Sequence, residues 1–208
     1  MIAMLIRLVS GVQARWIGIE PLNADGSIPQ RIYFANHQSH LDAPVIWSSL
    51  PKIMRARTHP VAARDYWEKN SLRRYLSRRV FRAILIERHK VTAHSNPLAA
   101  LERALEDGDS LIIFPEGTRS LDDDGAVGEF KPGIWHLARK HPEAALVPVH
   151  LENLNRILPR GDFILIPLLA AVTFGPPMKI EPHEDKRAFL TRAKAAVMAL
   201  AAAAEAKP

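Results

Sequence analysis

The sequence predicts an α/β fold, a single-domain layered structure with a mainly parallel central sheet flanked by helices. Three observations lead there. Short apolar runs at Ile32-Tyr33-Phe34-Ala35, Ser110-Leu111-Ile112-Ile113-Phe114 and Ala144-Ala145-Leu146-Val147 read as strands. Helical segments fall between those runs, and helix followed by strand is the alternation of a layered architecture with parallel strands. A length of 208 residues suits one domain with a sizeable core. In such folds ligands bind at the rim where strands end, so the polar residues that follow each apolar run are the candidates for chemistry.

Taken in order, residues 1–18 carry Leu5, Leu8, Val9 and Val12 at helical spacing, with Arg7, Arg15 and Trp16 as anchors. They read either as a helix packed on the domain or as a membrane-surface helix. The stretch is too short and too interrupted for a transmembrane span or a signal peptide. Pro21, Asn23, Asp25-Gly26 and Pro29 make 19–31 turn-rich. After the strand at Ile32–Ala35, Ser39 and Asp42 stand at capping-box spacing before a helix over 43–50 that ends near Pro51. Residues 52–57 alternate loosely and read as a short strand or extended segment, 60–82 as helical and 81–86 as a strand. Ser95 or Asn96 as cap, Pro97 in the first turn and Leu98, Leu101 and Leu105 on one face predict a helix stopped by Asp107-Gly108. The strand at 110–114 delivers the turn 115–120, a hydrophilic loop follows over 121–129, and a helix over 134–139 is entered through Pro132-Gly133. The strand at 144–150 contains Pro148, which removes one ladder donor and points to an edge or irregular place. A turn at 158–161, a strand pair or strand plus bend within the apolar run 163–174, and an alanine-rich closing helix over 184–208 complete the chain.

Composition narrows the function. There is no Cys, so neither a disulfide framework nor a thiolate nucleophile is available, and the reducing side of the cell is the default. The formal net charge of +6 calls for an anionic partner, nucleic acid or a membrane surface. Between Lys52 and Lys90 there are twelve basic residues against three acidic, interleaved with Tyr66, Trp67, Tyr75 and Phe81. No recognition helix, zinc ligands or glycine-aromatic RNA motif accompanies them, so an anionic membrane surface is preferred over nucleic acid or a plain solvated helix.

Two constellations carry chemistry. His37 at a strand end and Asp42 at the start of the next helix can meet across the turn, which orients one ring nitrogen and raises the basicity of the other. That pair suits deprotonation of a hydroxyl, although a turn histidine bonded to a capping Asp has the same spacing. In Glu116-Gly117-Thr118-Arg119, Gly117 permits a sharp turn, Thr118 offers a hydroxyl and a backbone N–H, and Arg119 offers the donor fork that suits a phosphate. Glu116 is expected to hold arginines in place rather than act as an acid. Asp122-Asp123-Asp124 lacks the ligand spacing of a calcium loop and reads as solvated, so no metal is expected. His150 is given no chemistry.

Asn36-His37-x4-Asp42, Ile86-Glu87-Arg88, Phe114-Pro115-Glu116-Gly117-Thr118-Arg119-Ser120 and Val147-Pro148-Val149 resemble, in order and spacing, the four blocks of the glycerolipid acyltransferase family. The resemblance runs from about residue 25 to 180. It implies a glycerol-3-phosphate acyltransferase-like fold and transfer of a fatty acyl group from acyl-CoA or acyl-carrier protein to the sn-2 hydroxyl of 1-acyl-sn-glycerol-3-phosphate, giving phosphatidic acid. It implies His37 as general base with Asp42 behind it, Arg88 on the acceptor phosphate, and the block from Glu116 to Arg119 around the glycerol-3-phosphate portion; the similar Phe-Lys-x-Gly at Phe130–Gly133 implies a positive field from Lys131 near the phosphate, a surface lysine being the alternative, and Glu87 has no role. No cofactor is expected beyond the acyl donor as co-substrate, and the location implied is the cytoplasmic face of a membrane, peripheral or monotopic. Another lysophospholipid or a lyso-ornithine-type acceptor, a phosphodiesterase-like hydrolase and a non-catalytic anionic-lipid binding module are the rivals.

Overall fold

The computed structural model describes residues 2–87, 98–118, 127–154 and 170–205. Among the described residues one sheet of seven strands is built from β1 (Gln13–Trp16), β2 (Arg31–Ala35), β3 (Thr58–Ala63), β4 (Ile84–Ile86), β5 (Ser110–Ile113), β6 (Ala145–Glu152) and β7 (Ala171–Phe174). Their order across the sheet is β1-β7-β6-β2-β5-β3-β4. Every pairing between these strands is parallel except β6 with β7. The C-terminal ends of β2 and β5, which are neighbours in register (Phe34 opposite Ile113), therefore lie on one rim.

Both faces of the sheet are covered, which is why β2 and β5 are buried at every position and read in the sequence as unbroken apolar runs. Side chains alternate along β2. Ile32 and Phe34 join Leu111, Ile113 and Leu146 under α6 (Ala99–Glu106), α7 (Gly133–Lys140) and α8 (Lys186–Glu205). Tyr33 and Ala35 join Ile112, Val147, Val149 and Phe174 under α2 (Asp42–Ser49). The N-terminal helix α1 (Ile2–Ser10) packs beside α2, and Arg7 donates to the carbonyls of Ser48 and Leu50.

Several elements differ from the sequence expectation. Residues 1–18 are not one helix: α1 stops at Ser10, Gly11 takes a φ of 56°, and the chain turns into the edge strand β1. The extended segment expected at 52–57 is the helical turn α3 (Lys52–Arg55), entered through Pro51, whose carbonyl accepts from Arg55 N–H. The helix expected over 60–82 begins instead as β3, because pairing with β5 at one end and β4 at the other outweighs the helical preference of Ala62-Ala63. Only then come the short helices α4 (Arg64–Trp67) and α5 (Ser71–Tyr75), the latter running into a π-helical turn at Leu76–Val80. Pro148 lies within β6, which is flanked on both sides by β7 and β2 and is no edge. Its carbonyl accepts from Gly175 N–H (2.9 Å), so its ring nitrogen faces β7 at the last rung of that ladder, where a missing donor costs little. The expected cap at 95–97, the loop at 121–126 and the turn at 158–161 lie outside the described residues.

Candidate active site

Asn36 ends β2 and makes the turn possible. Its side-chain amide donates to the Leu151 carbonyl (3.0 Å) and accepts from Leu151 N–H (2.8 Å), so the side chain continues the bonding to β6 after the backbone has left the sheet. His37 is thereby released at the rim.

Asp42, fully buried at the first turn of α2, gathers that turn onto one oxygen. Its Oδ2 accepts from His37 Nδ1–H (2.8 Å), Gln38 N–H (2.6 Å) and Ser39 N–H (2.9 Å). Ser39 Oγ accepts from Leu41 N–H and the Ser39 carbonyl from Asp42 N–H, so the turn before α2 is closed by local bonds, without the reciprocal side-chain cap that the spacing suggested. With Nδ1–H committed to a carboxylate, the basic lone pair of His37 sits on Nε2. Nε2 holds no hydrogen bond among the described residues, and the His37 side chain keeps 15% exposure. The ring stacks on Phe114, the residue after β5, with centroids 4.3 Å apart and planes 23° from parallel.

Glu116 approaches the same histidine from the other strand. Its Oε1 accepts from His37 N–H (2.9 Å) and its Oε2 from Gly128 N–H (3.0 Å). Burial pushes its carboxyl above the usual carboxylate range, against the pull of those two N–H groups. The arginines it was expected to hold, Arg88 and Arg119, lie outside the described residues. Gly117 has a φ of 72° and donates to the Phe114 carbonyl (3.0 Å), closing a tight turn. A Cβ there would come within 2.9 Å of Lys131 Cε, because Lys131, whose N–H is bonded to the Pro115 carbonyl, lays its side chain across the turn. Thr118 follows on the surface. Among the described residues no group of three His, Asp or Glu is placed to hold a metal ion. His150 is buried in β6 beside Glu152 (3.5 Å), on a different strand from this constellation.

The family model described as Acyltransferase matches residues 17–152, well over half of the chain. The chain belongs to this family. That matched span of the acyltransferase family holds His37, Asp42, Glu116, Gly117 and Thr118 together with Arg88 and Arg119. Among curated relatives, the 1-acyl-sn-glycerol-3-phosphate acyltransferase of Cocos nucifera is 28% identical over 190 residues, covering 86% of this chain and 56% of its own length. That of Limnanthes douglasii is 29% identical over 177 residues, covering 80% and 57%. The chain thus spans a little over half the length of the curated relatives it matches. In fold it is similar to the crystal structure of the 1-acyl-sn-glycerophosphate (LPA) acyltransferase PlsC from Thermotoga maritima, with a TM-score of 0.74, 20% identity, and coverage of 99% of this chain and 80% of that one.

In this member of the acyltransferase family, sequence reasoning missed the roles of Asn36, Phe114 and Gly128. Asn36 and Phe114 lie inside the blocks already singled out, adjacent to a strand end. Gly128 has no local signal, because its importance comes from Glu116, twelve residues earlier.

Proposed function

We propose that the chain transfers a fatty acyl group from a thioester donor, acyl-CoA or acyl-carrier protein, to the free sn-2 hydroxyl of 1-acyl-sn-glycerol-3-phosphate, giving phosphatidic acid. The observation that carries this reading is the His37 imidazole, tied through Nδ1–H to a fully buried Asp42 and open at Nε2. Nε2 takes the proton of the acceptor hydroxyl as its oxygen attacks the thioester carbonyl. The tetrahedral intermediate collapses by breaking the C–S bond, and the imidazolium returns the proton to the departing thiolate. Neither step needs a covalent bond to the protein. The buried Asp42 carboxylate stabilises the imidazolium formed between them.

Acceptor choice rests on the relatives' names and on the family resemblance, which assigns the phosphate to Arg88 and Arg119. Lys131, lying across the Gly117 turn, adds a cation to that side of the site. A lipid substrate also suits the surface. Met4, Leu5 and Leu8 on α1, Ile53 on α3 and Leu72 and Tyr75 on α5 are large apolar side chains left in solvent, and the basic segment surrounds the last of them. No helix among the described residues is long and apolar enough to cross a membrane, and a peripheral or monotopic seat on the cytoplasmic face is the location proposed with this function.

The test is release of free thiol from acyl-CoA and from acyl-carrier protein across a set of lysophospholipid acceptors, with the product identified by mass. The parent chain is expected to turn over 1-acyl-sn-glycerol-3-phosphate, and His37→Ala to lose at least about a hundredfold in kcat while staying folded. Vesicle binding without thiol release in any pairing would instead favour a non-catalytic lipid-binding module.

A further inference from the structure

The role of Glu116 reaches past the acceptor block in which the sequence puts it. The residue is 6% exposed and each carboxylate oxygen already accepts a backbone N–H, from His37 on one side and Gly128 on the other. That leaves it little surface to offer an acceptor. What it does grip is the base: Asp42 holds the His37 ring, Phe114 stacks against it, and Glu116 holds the His37 backbone. The same side chain fills the space in front of Gly128, where a Cβ would come within 2.7 Å of Oε2, so 127–130 is packed directly on it. Gly117, next in the chain, carries the left-handed turn over which Lys131 lies.

We propose that Glu116 is a positioning residue for His37, a buried carboxylate that fixes the base's backbone to the Gly117 turn and contributes negative charge beside the imidazole, without touching the acceptor. This rests on the acyl-transfer reading of His37. Among the described residues the ionisable groups facing Glu116 are His37 and Asp42, so the imidazolium forms between two carboxylates, one on its ring and one on its backbone. Removing the charge of Glu116 makes that imidazolium less favourable while leaving the Asp42 contact intact.

The experiment is steady-state kinetics of the full chain against pH for Glu116→Gln and Gly128→Ala, with acceptor and donor varied separately. In Glu116→Gln, kcat is expected to fall about tenfold, acceptor KM to stay within about twofold, and the ascending limb of kcat/KM to move to lower pH. Gly128→Ala displaces the carboxylate without neutralising it, so kcat falls and the limb stays in place. Combined with Glu116→Gln it adds little, as expected for residues acting on one contact. A rise in acceptor KM with kcat unchanged, or a limb that does not move in Glu116→Gln, overturns the proposal. Should Glu116→Gln fail to fold, Gly128→Ala decides: lowered kcat at constant acceptor KM supports it, any other result overturns it. Activity surviving in His37→Ala would remove the acyl-transfer reading itself, a separate outcome.

Discussion

At the scale of single residues, the site depends on one oxygen. Asp42 Oδ2 receives three N–H groups, two from the backbone and one from the imidazole, so the shape of the turn and the tautomer of the base are fixed by the same atom. An amide in its place keeps an oxygen for Gln38 and Ser39 but loses the charge that favours the imidazolium. Asp42→Asn is therefore expected to fold normally and to lose about a hundredfold or more in kcat, with acceptor KM within about twofold. Steady-state kinetics with each substrate varied in turn checks this, and a loss confined to acceptor KM would move Asp42 from catalysis to binding. The His37–Asp42 pair was legible in the sequence because only a turn separates its members. The bond from His37 to Glu116 was not, since it joins positions 79 apart and depends on β2 and β5 being neighbours. Glu116 could be picked out from its block, but which partner it served could not.

Among the elements, the junctions at the opposite end of the sheet hold the strands that present the site. Asp109, between α6 and β5, accepts from Arg57 Nε (3.0 Å) through Oδ1 and faces His59 Nε2 (2.9 Å) with Oδ2, while His59 Nδ1 faces the Arg82 carbonyl (2.8 Å). One carboxylate thus ties the entry of β5 to the start of β3 and, through His59, to the turn before β4. Burial works against ionisation of Asp109, yet the hydrogen bonds and charges of Arg57 and His59 hold its carboxyl below the usual carboxylate range. A carboxyl lowered in the folded state stabilises the fold above its ordinary range and loses that contribution as pH falls through the lowered value. Asp109→Asn should melt roughly 2–6 °C below the parent near neutral pH, with the gap closing in acid. Thermal melts of both proteins across pH check it, and a gap constant with pH would show that charge is not what matters. The elements that sequence reasoning found were those that burial or composition marks: β2 and β5 as unbroken apolar runs, α6 by its one apolar face and α8 by its alanines. It misread 52–63, where a four-residue helix and a strand carrying Pro60 are set by tertiary pairing, and it ran α1 through Gly11 although that glycine marks the stop.

For the whole molecule, six of the eight large apolar side chains exposed among the described residues lie on α1, α3 and α5, the other two being Ile17 and Met198. Arg7 of α1 and Arg55 of α3 both donate to the carbonyl groups of Ser48 and Leu50 at the end of α2. Arg73 of α5 covers the Tyr66 ring (4.2 Å), which in turn stacks on His40 just before α2 (3.8 Å). The elements carrying Met4, Leu5, Leu8, Ile53, Leu72 and Tyr75 thus all gather about α2, the helix that begins at the proposed base. If that region meets an anionic bilayer, binding to vesicles containing anionic lipid should weaken at least about tenfold between 0.1 and 1 M salt, as the Debye length shrinks from about 10 to about 3 Å. Co-sedimentation measures it, and binding indifferent to both salt and anionic lipid would leave the surface charge without a role there. The edge strand β1 has a consequence of another kind. Gln13 pairs with Ala171, so β1 leaves the ribosome long before the strand that it pairs with. At ordinary rates of translation that partner follows on the order of ten seconds or more later. During that interval α1 can already dock on the nascent α2, whereas Trp16 waits for the ring of Phe174 against which it finally stacks at 4.0 Å. The β1–β7 rung therefore closes only after β7 is made, and until then β1 lacks the strand that it finally pairs with.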